Sequence, residues 1–367
     1  MRDTQMNNVF ANMNRRSFIK TSALAGTSLA LAGAVPTLAQ GSSKRLKLGF
    51  DNFSVRALGL KAPGLLDYAA ALKVDSLLIS DLDAYDSLEE KHLGEVKKKA
   101  ADLGIELYAG TWSICPTSQA FKDKWGTAEE HLRLGIRVAK ALGSPVIRCV
   151  LGTNRDRKTP GGIEARIADT VKVCKACRSQ AIDSNVKIAI ENHAGDMQAW
   201  ELVTLIEAAG KDYVGSNTDS GNATWTMEDP LANLEVLGPY TLCTSIRDSM
   251  VWEDAEGAKV QWTAMGEGLV DWKKYFERFA AFCPEVAVNI EVISGFAYGL
   301  PYLKDDFWSS WPKAKAADFA RFLAMAKRGK AIPPHRSPDQ NAEKEYQKAE
   351  LERSLKYCKD VLGMGRK

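Results

Sequence analysis

From residue 46 onward the chain alternates short apolar or β-branched runs with longer amphipathic stretches, eight of each, and no other feature constrains its fold as much. The runs cover 46–51, 75–80, 105–110, 145–151, 186–191, 213–219, 240–247 and 286–291, and the helical stretches lie near 63–73, 87–103, 127–142, 162–184, 198–210, 229–237, 270–281 and 313–328. A strand buried on both faces reads as a continuous apolar run, and a helix between two such strands is the crossover that parallel pairing needs. Eight repeats of that unit predict closure into a single (β/α)8 barrel. Gly104, Gly143 and Gly210 stand where left-handed helix stops are wanted.

Three runs end in a carboxylate. They are Val186-Lys187-Ile188-Ala189-Ile190-Glu191, Tyr213-Val214-Gly215-Ser216-Asn217-Thr218-Asp219 and Val286-Ala287-Val288-Asn289-Ile290-Glu291. Chemistry in a parallel barrel is assembled where the strands end, so Glu191, Asp219 and Glu291 read as site residues. The plainer alternative is that they only cap the helices that follow.

The chain has 367 residues, 45% apolar and 26% charged, enough for a full core. Residues 1–39 stand apart: Asn14-Arg15-Arg16-Ser17-Phe18-Ile19-Lys20 precedes an Ala/Gly-rich, weakly apolar run and the small-residue end Thr37-Leu38-Ala39. This resembles a twin-arginine export signal, which implies the export machinery as a partner and a periplasmic destination for a protein that folds before it crosses. Removing residues 1–39 leaves 45 residues of each charge sign. No basic excess remains for nucleic acid, and no later apolar run is long enough for stable membrane insertion. The seven Cys, an odd and scattered set, do not form a disulfide framework, and Cys174-Lys175-Ala176-Cys177 lies inside a helical stretch with no second pair.

Two insertions break the alternation. The segment 249–268 carries Trp252, Trp262 and the turn Gly266-Glu267-Gly268, and 294–312 carries Phe296, Tyr298, Tyr302, Phe307, Trp308 and Trp311. So many aromatics beside the strand ends suggest a lid or a stacking surface for a ring; a small satellite core is the competing reading. The expected divisions are a signal at 1–39, a barrel at 40–330, and at 331–367 a Pro-rich linker and charged helix, a C-terminal extension docked on the barrel or on a second subunit in a homo-oligomer.

Ile190-Glu191-Asn192-His193-Ala194-Gly195, Asn217-Thr218-Asp219-Ser220-Gly221-Asn222 and Met265-Gly266-Glu267-Gly268-Leu269-Val270-Asp271-Trp272, followed by Ile290-Glu291, together resemble the xylose-isomerase-like TIM-barrel superfamily of sugar isomerases and epimerases. The resemblance implies one divalent cation, manganese or magnesium with zinc as a third candidate, held by Glu191, Asp219 and Glu291. The family's seventh strand usually ends His-x-Lys-Asp, and here the matching run is Ser245-Ile246-Arg247-Asp248, with Ser245 at the usual His position. A hydroxyl is a poor substitute for an imidazole nitrogen, so weaker binding or a water in its place is expected.

The resemblance further implies proton transfer beside a carbonyl through an enediolate, with Glu191 and Glu291 as catalytic base and acid. Strand alternation puts Cys243, Ser245 and Arg247 on one face, so Arg247 is expected to balance the carboxylates or to hold substrate. His193, two residues past Glu191, is a candidate hydrogen-bond donor; Arg148 and Trp112 are expected to line the pocket; His92, His131 and His335 are expected to be structural or on the surface. The substrate class is a free or keto sugar, sugar acid or cyclitol, and isomerase, epimerase and lyase chemistry all fit. The alternative is a non-catalytic carbohydrate-binding protein whose metal site is degraded.

Overall fold

The computed structural model describes residues 45–366. The proposed export signal lies outside the described residues.

Seven strands come first: β1 (Leu48–Asp51), β2 (Ser76–Ile79), β3 (Glu106–Ser113), β4 (Val146–Val150), β5 (Lys187–Glu191), β6 (Val214–Thr218) and β7 (Thr241–Thr244). Then follow β8 (Asp248–Asp254), β9 (Gly257–Thr263), β10 (Val288–Ile290) and β11 (Ala297–Leu300). The helices are α1 (Ala62–Ala71), α2 (Glu90–Leu103), α3 (Ala128–Leu142), α4 (Gly162–Ala176), α5 (Arg178–Asp183), α6 (Ala199–Ala209), α7 (Ser220–Trp225), α8 (Pro230–Leu237), α9 (Trp272–Phe282), α10 (Ala316–Ala326) and α11 (Gln340–Asp360).

Eight strands pair in the order β10-β1-β2-β3-β4-β5-β6-β7. The sheet closes where Ile246 bridges to Ile290 in parallel, with Ile246 N donating to the Asn289 carbonyl and Glu291 N to the Ile246 carbonyl, both at 2.8 Å. The chain therefore forms a (β/α)8 TIM barrel, with β10 as its eighth strand. Leu78, Tyr108, Val146, Ala189, Cys243 and Ala287 fill the barrel's interior, while the opposite strand faces join the larger core shared with the helices. Burial on both faces is why the strands read as unbroken apolar runs, each buried Leu, Ile or Val contributing about 1.5–3 kcal/mol.

Three expectations need correction. The stretch 162–184 is not one helix: it breaks at Cys177, whose backbone leaves helical geometry at φ −99°, ψ 2°. The insertion at 249–268 is not a loop but the β8–β9 hairpin, and β11 extends it to a three-stranded antiparallel sheet. The helix after the eighth strand, α10, does not complete the barrel's outer ring. Its Phe322, Met325 and Ala326 pack with Val251, Val260, Leu300 and Trp311 in a satellite core under the added sheet.

The ring is instead completed by α11. Its Leu351, Leu355 and Cys358 enter the main core, and Ser354 Oγ accepts from Met265 N at 3.1 Å. At one end Gln347 accepts from Ala57 N at 2.9 Å beside the strand ends; at the other Gly365 N donates to the Leu46 carbonyl at 3.0 Å. The C-terminal helix thus docks on the barrel of its own chain, one of the two placements expected for it. Among the described residues no helix is long and apolar enough to cross a membrane, and all seven Cys are free and buried.

Candidate active site at the barrel mouth

β5, β6 and β10 run parallel in neighbouring registers, so residues just past their ends meet at one mouth. Glu191, Asp219 and Glu291 converge there, offering carboxylate oxygens that all lie within 4.8 Å of one another. All three are buried. Two guanidinium groups face them. Arg148 Nε donates to Glu191 Oε2 at 2.6 Å, and Arg247 Nη2 donates to both Asp219 and Glu291. Asn217 Nδ2 donates to Glu191 Oε2 at 2.7 Å, and Asn222 Nδ2 to Glu191 Oε1 at 3.2 Å and Asp219 Oδ2 at 2.6 Å. Asp219 also accepts from Asn222 N at 2.8 Å at the start of α7, so it caps a helix and belongs to the cluster at once.

Ser245 stays out of this cluster. Its hydroxyl accepts from Asn217 Nδ2 at 3.0 Å, the same amide that holds Glu191. A fourth acid joins from the end of β1: Asp51 is fully buried, accepts from Phe53 N and Ser80 Oγ, and leaves Oδ2 without a partner. Burial, reinforced by the Glu291 charge, pushes Asp51 up to about 7, and burial likewise raises Asp219 despite Arg247. The cluster fits a divalent cation: four buried acids face only two guanidinium groups, so they can ionise together only with further positive charge beside them, and three of the acids are close enough to share one ion. Hard carboxylate oxygens without a nitrogen ligand suit magnesium or manganese better than zinc.

Above the cluster lies a cavity of about 500 Å³. Its polar lining includes Arg148, Arg247, Glu291, Asn222 and His193 beside the cluster and Arg56, Asp81, Asp83, Lys122 and Lys124 elsewhere on the wall, and its aromatic lining is Phe53, Trp112, Trp125, Trp225, Trp262 and Phe296. Of the cluster's acids only Glu291 lines it. Trp112 is fixed by its indole N–H donating to the Ala120 carbonyl at 2.8 Å and meets the His193 ring edge-on at 5.2 Å. His193 Nδ1 lies 2.6 Å from the Gly152 carbonyl, which can only accept, so Nδ1 carries the proton. Burial, with Arg148 adding, lowers the ring to about 4, and the neutral imidazole leaves Nε2 as an acceptor rather than the donor expected. Asp196 holds this turn by accepting from His193 N at 2.8 Å and Gly152 N at 3.1 Å.

The Xylose isomerase-like TIM barrel family model matches residues 66–295. The chain belongs to this family. Within it, the 3-oxo-isoapionate decarboxylase of Pectobacterium atrosepticum is 22% identical over 217 residues, covering 59% of this chain and 70% of that protein. Among solved structures, a xylose isomerase domain protein from Planctomyces limnophilus superposes with a TM-score of 0.52 at 14% identity, over 81% of this chain and 93% of its own. A D-psicose 3-epimerase crystallised in the presence of D-fructose does so with a TM-score of 0.52 at 18% identity, over 76% and 97%. The IolI protein with a bound zinc atom gives 0.52 at 14%, over 78% and 100%. These structures share the fold.

Several site residues escape a reading of the sequence. Asp51 ends its strand in an acid just as Glu191 does, and that signal was available. Trp225 gave no such signal, and Trp262, one of the insertion aromatics expected to offer a stacking surface, is itself covered: Trp225 stacks between Trp262 at 4.3 Å and Tyr298 at 4.1 Å, and Arg247 lies 4.2 Å over the Trp262 ring. Their ring faces are therefore taken up by protein contacts. His131 is buried on α3 and bonded through Nε2 to Thr111 Oγ1 at 2.6 Å, a structural placement as expected, and it also lines the cavity.

Proposed function

We propose that the chain is a sugar-modifying enzyme that moves a proton on a carbon beside a carbonyl, as an isomerase, epimerase or related lyase, with a divalent cation held by Glu191, Asp219 and Glu291. The observation that carries this reading is the convergence of those three carboxylates within 4.8 Å, with Glu291 opening onto the cavity. A cation bound there would polarise the substrate carbonyl and stabilise the enediolate. Glu291 faces the cavity and takes the proton. Glu191, whose oxygens are held by Arg148, Asn217 and Asn222 and which does not line the cavity, keeps the cluster in register. His193 Nε2 accepts a hydrogen bond from a substrate hydroxyl, and Arg148 and Arg247 offset the charge that develops on oxygen.

The likeness to 3-oxo-isoapionate decarboxylase supports a second form of the same chemistry. Loss of carbon dioxide beside a carbonyl leaves an enediolate of the kind that proton abstraction gives, so a keto sugar acid belongs among the substrates to be tried. The export reading of residues 1–39 is part of the proposal and places the mature protein in the periplasm; a reporter fused behind those residues should need both Arg15 and Arg16 to leave the cytoplasm.

Incubating free and keto sugars with protein and manganese or magnesium in deuterated water should label the carbon beside the carbonyl, and Glu291→Gln should abolish the label. Sugars that bind without any exchange would favour the non-catalytic carbohydrate-binding reading instead.

A further inference from the structure

Resting on the sugar reading of this site, we infer that the natural ligand is a glycoside of a keto sugar rather than a free monosaccharide: a ring at the polar floor, its carbonyl on a carbon other than the glycosidic one so that the proton transfer proposed above has its acidic C–H, carrying a second, ring-shaped unit at the aromatic wall. Size is the first argument. An aldohexose has about a dozen heavy atoms, each occupying less than the ~30 Å³ of a water molecule in the liquid, so it fills less than about 360 Å³. The cavity of about 500 Å³ exceeds that.

Polarity is the second. Groups that suit a polyhydroxylated ring come from the strand ends and the turns just past them: Arg148, Arg247, Glu291, Asn222 and His193. The turn after β1 brings Phe53 and the segment before β11 brings Phe296, and these remain 39% and 43% exposed on a wall that also carries Arg56, Asp81, Asp83, Lys122 and Lys124. Large apolar side chains left open on a cavity wall gain most by covering a flat apolar partner. Trp225 and Trp262 do not provide that surface, because their faces are already stacked on each other, on Tyr298 and against Arg247. Arg56 and Lys122 stand at the same wall, 4.7 Å over the Phe53 ring and 5.9 Å over the Trp112 ring, and cap the aromatic zone with cations. An aromatic aglycone and a second sugar ring both present a face that stacks on such a wall.

The test is calorimetric titration of the protein, in the presence of manganese, with methyl β-D-glucoside, phenyl β-D-glucoside, cellobiose, their galactose counterparts and the free sugars. A ring-bearing glycoside should bind about tenfold more tightly than the methyl glycoside, as one or two ring contacts would give. The doubly substituted protein, Phe53→Ala with Phe296→Ala, should lose that preference and keep the methyl glycoside affinity and the melting temperature. A phenyl preference without a cellobiose preference identifies an aromatic aglycone, and the reverse identifies a second sugar. Equal affinity for methyl, phenyl and disaccharide ligands overturns the inference, as does a preference that survives both substitutions. If the methyl glycosides and free sugars also fail to bind, the sugar reading itself fails and this inference falls with it.

Discussion

Arg148 and Glu191 form a salt bridge of 2.6 Å in the floor of the barrel mouth, with side chains only 4% and 0% exposed. Water can screen neither charge there. Breaking such a pair from one side leaves an uncompensated buried ion, which costs about 3–5 kcal/mol. Arg148→Met should therefore destabilise the protein by about that amount in urea unfolding, while adding Glu191→Gln should recover a large part. A double variant no more stable than the single one would mean that Asn217 and Asn222 alone suffice for Glu191.

Arg247 pairs with Asp219 and Glu291, two of the acids proposed to hold the cation. Manganese or magnesium at about a hundredfold its Kd should stabilise the native protein by about 2.7 kcal/mol. Asp219→Asn and Glu291→Gln should remove that gain, Arg247→Met should tighten binding by removing the competing guanidinium, and Ser245→His should tighten it by adding a nitrogen ligand. A melting temperature indifferent to added metal in the native protein and in Arg247→Met would make the guanidinium the permanent counter-ion.

Gly221 is the second residue of α7 and lies against Arg247, where an added Cβ would be 2.0 Å from Arg247 Cγ. In a free helix Gly→Ala stabilises by about 1 kcal/mol. Here Gly221→Ala should instead cost about 1–3 kcal/mol, because Arg247 must leave its partners. Thermal unfolding gives the sign directly, and a stabilised variant would show that Arg247 moves freely.

Glu228 is buried at the start of α6, accepting from Ala199 N at 3.0 Å and Asn233 Nδ2 at 2.9 Å. Burial pushes it up to about 7 from an ordinary value of 4.5. An acid raised on folding contributes stability that is complete below its unfolded pKa and is lost as pH rises through the folded one. The stability of the native protein relative to Glu228→Gln should fall by a few kcal/mol between about pH 4.5 and pH 7, then level off. A difference independent of pH would mean that Glu228 stays ionised throughout.

The barrel and three of its acids were legible in the sequence because both signals are local. A strand buried on two faces must be apolar along its length, and a charged residue that ends it has nowhere to go but the mouth. That rule also covers Asp51, which ends β1 and completes the charge count of the cluster.

Other features depend on partners far apart in the chain. α10 and α11 each bury a set of apolar residues, and periodicity alone cannot say which covers the barrel and which covers the β8–β9–β11 sheet; the contacts of Phe322 and Leu355 decide it. The tautomer of His193 follows from a carbonyl 41 residues away. Whether a Trp offers its face to a ligand depends on what already lies against it, and for Trp225 and Trp262 both the stacking partners and Arg247 come from other elements. Sequence determined which residues reach the mouth of the barrel, because burial along a strand is a local property. Only the tertiary structure decided which atoms those residues leave free for a ligand, because hydrogen bonds and ring contacts there join segments brought together by folding.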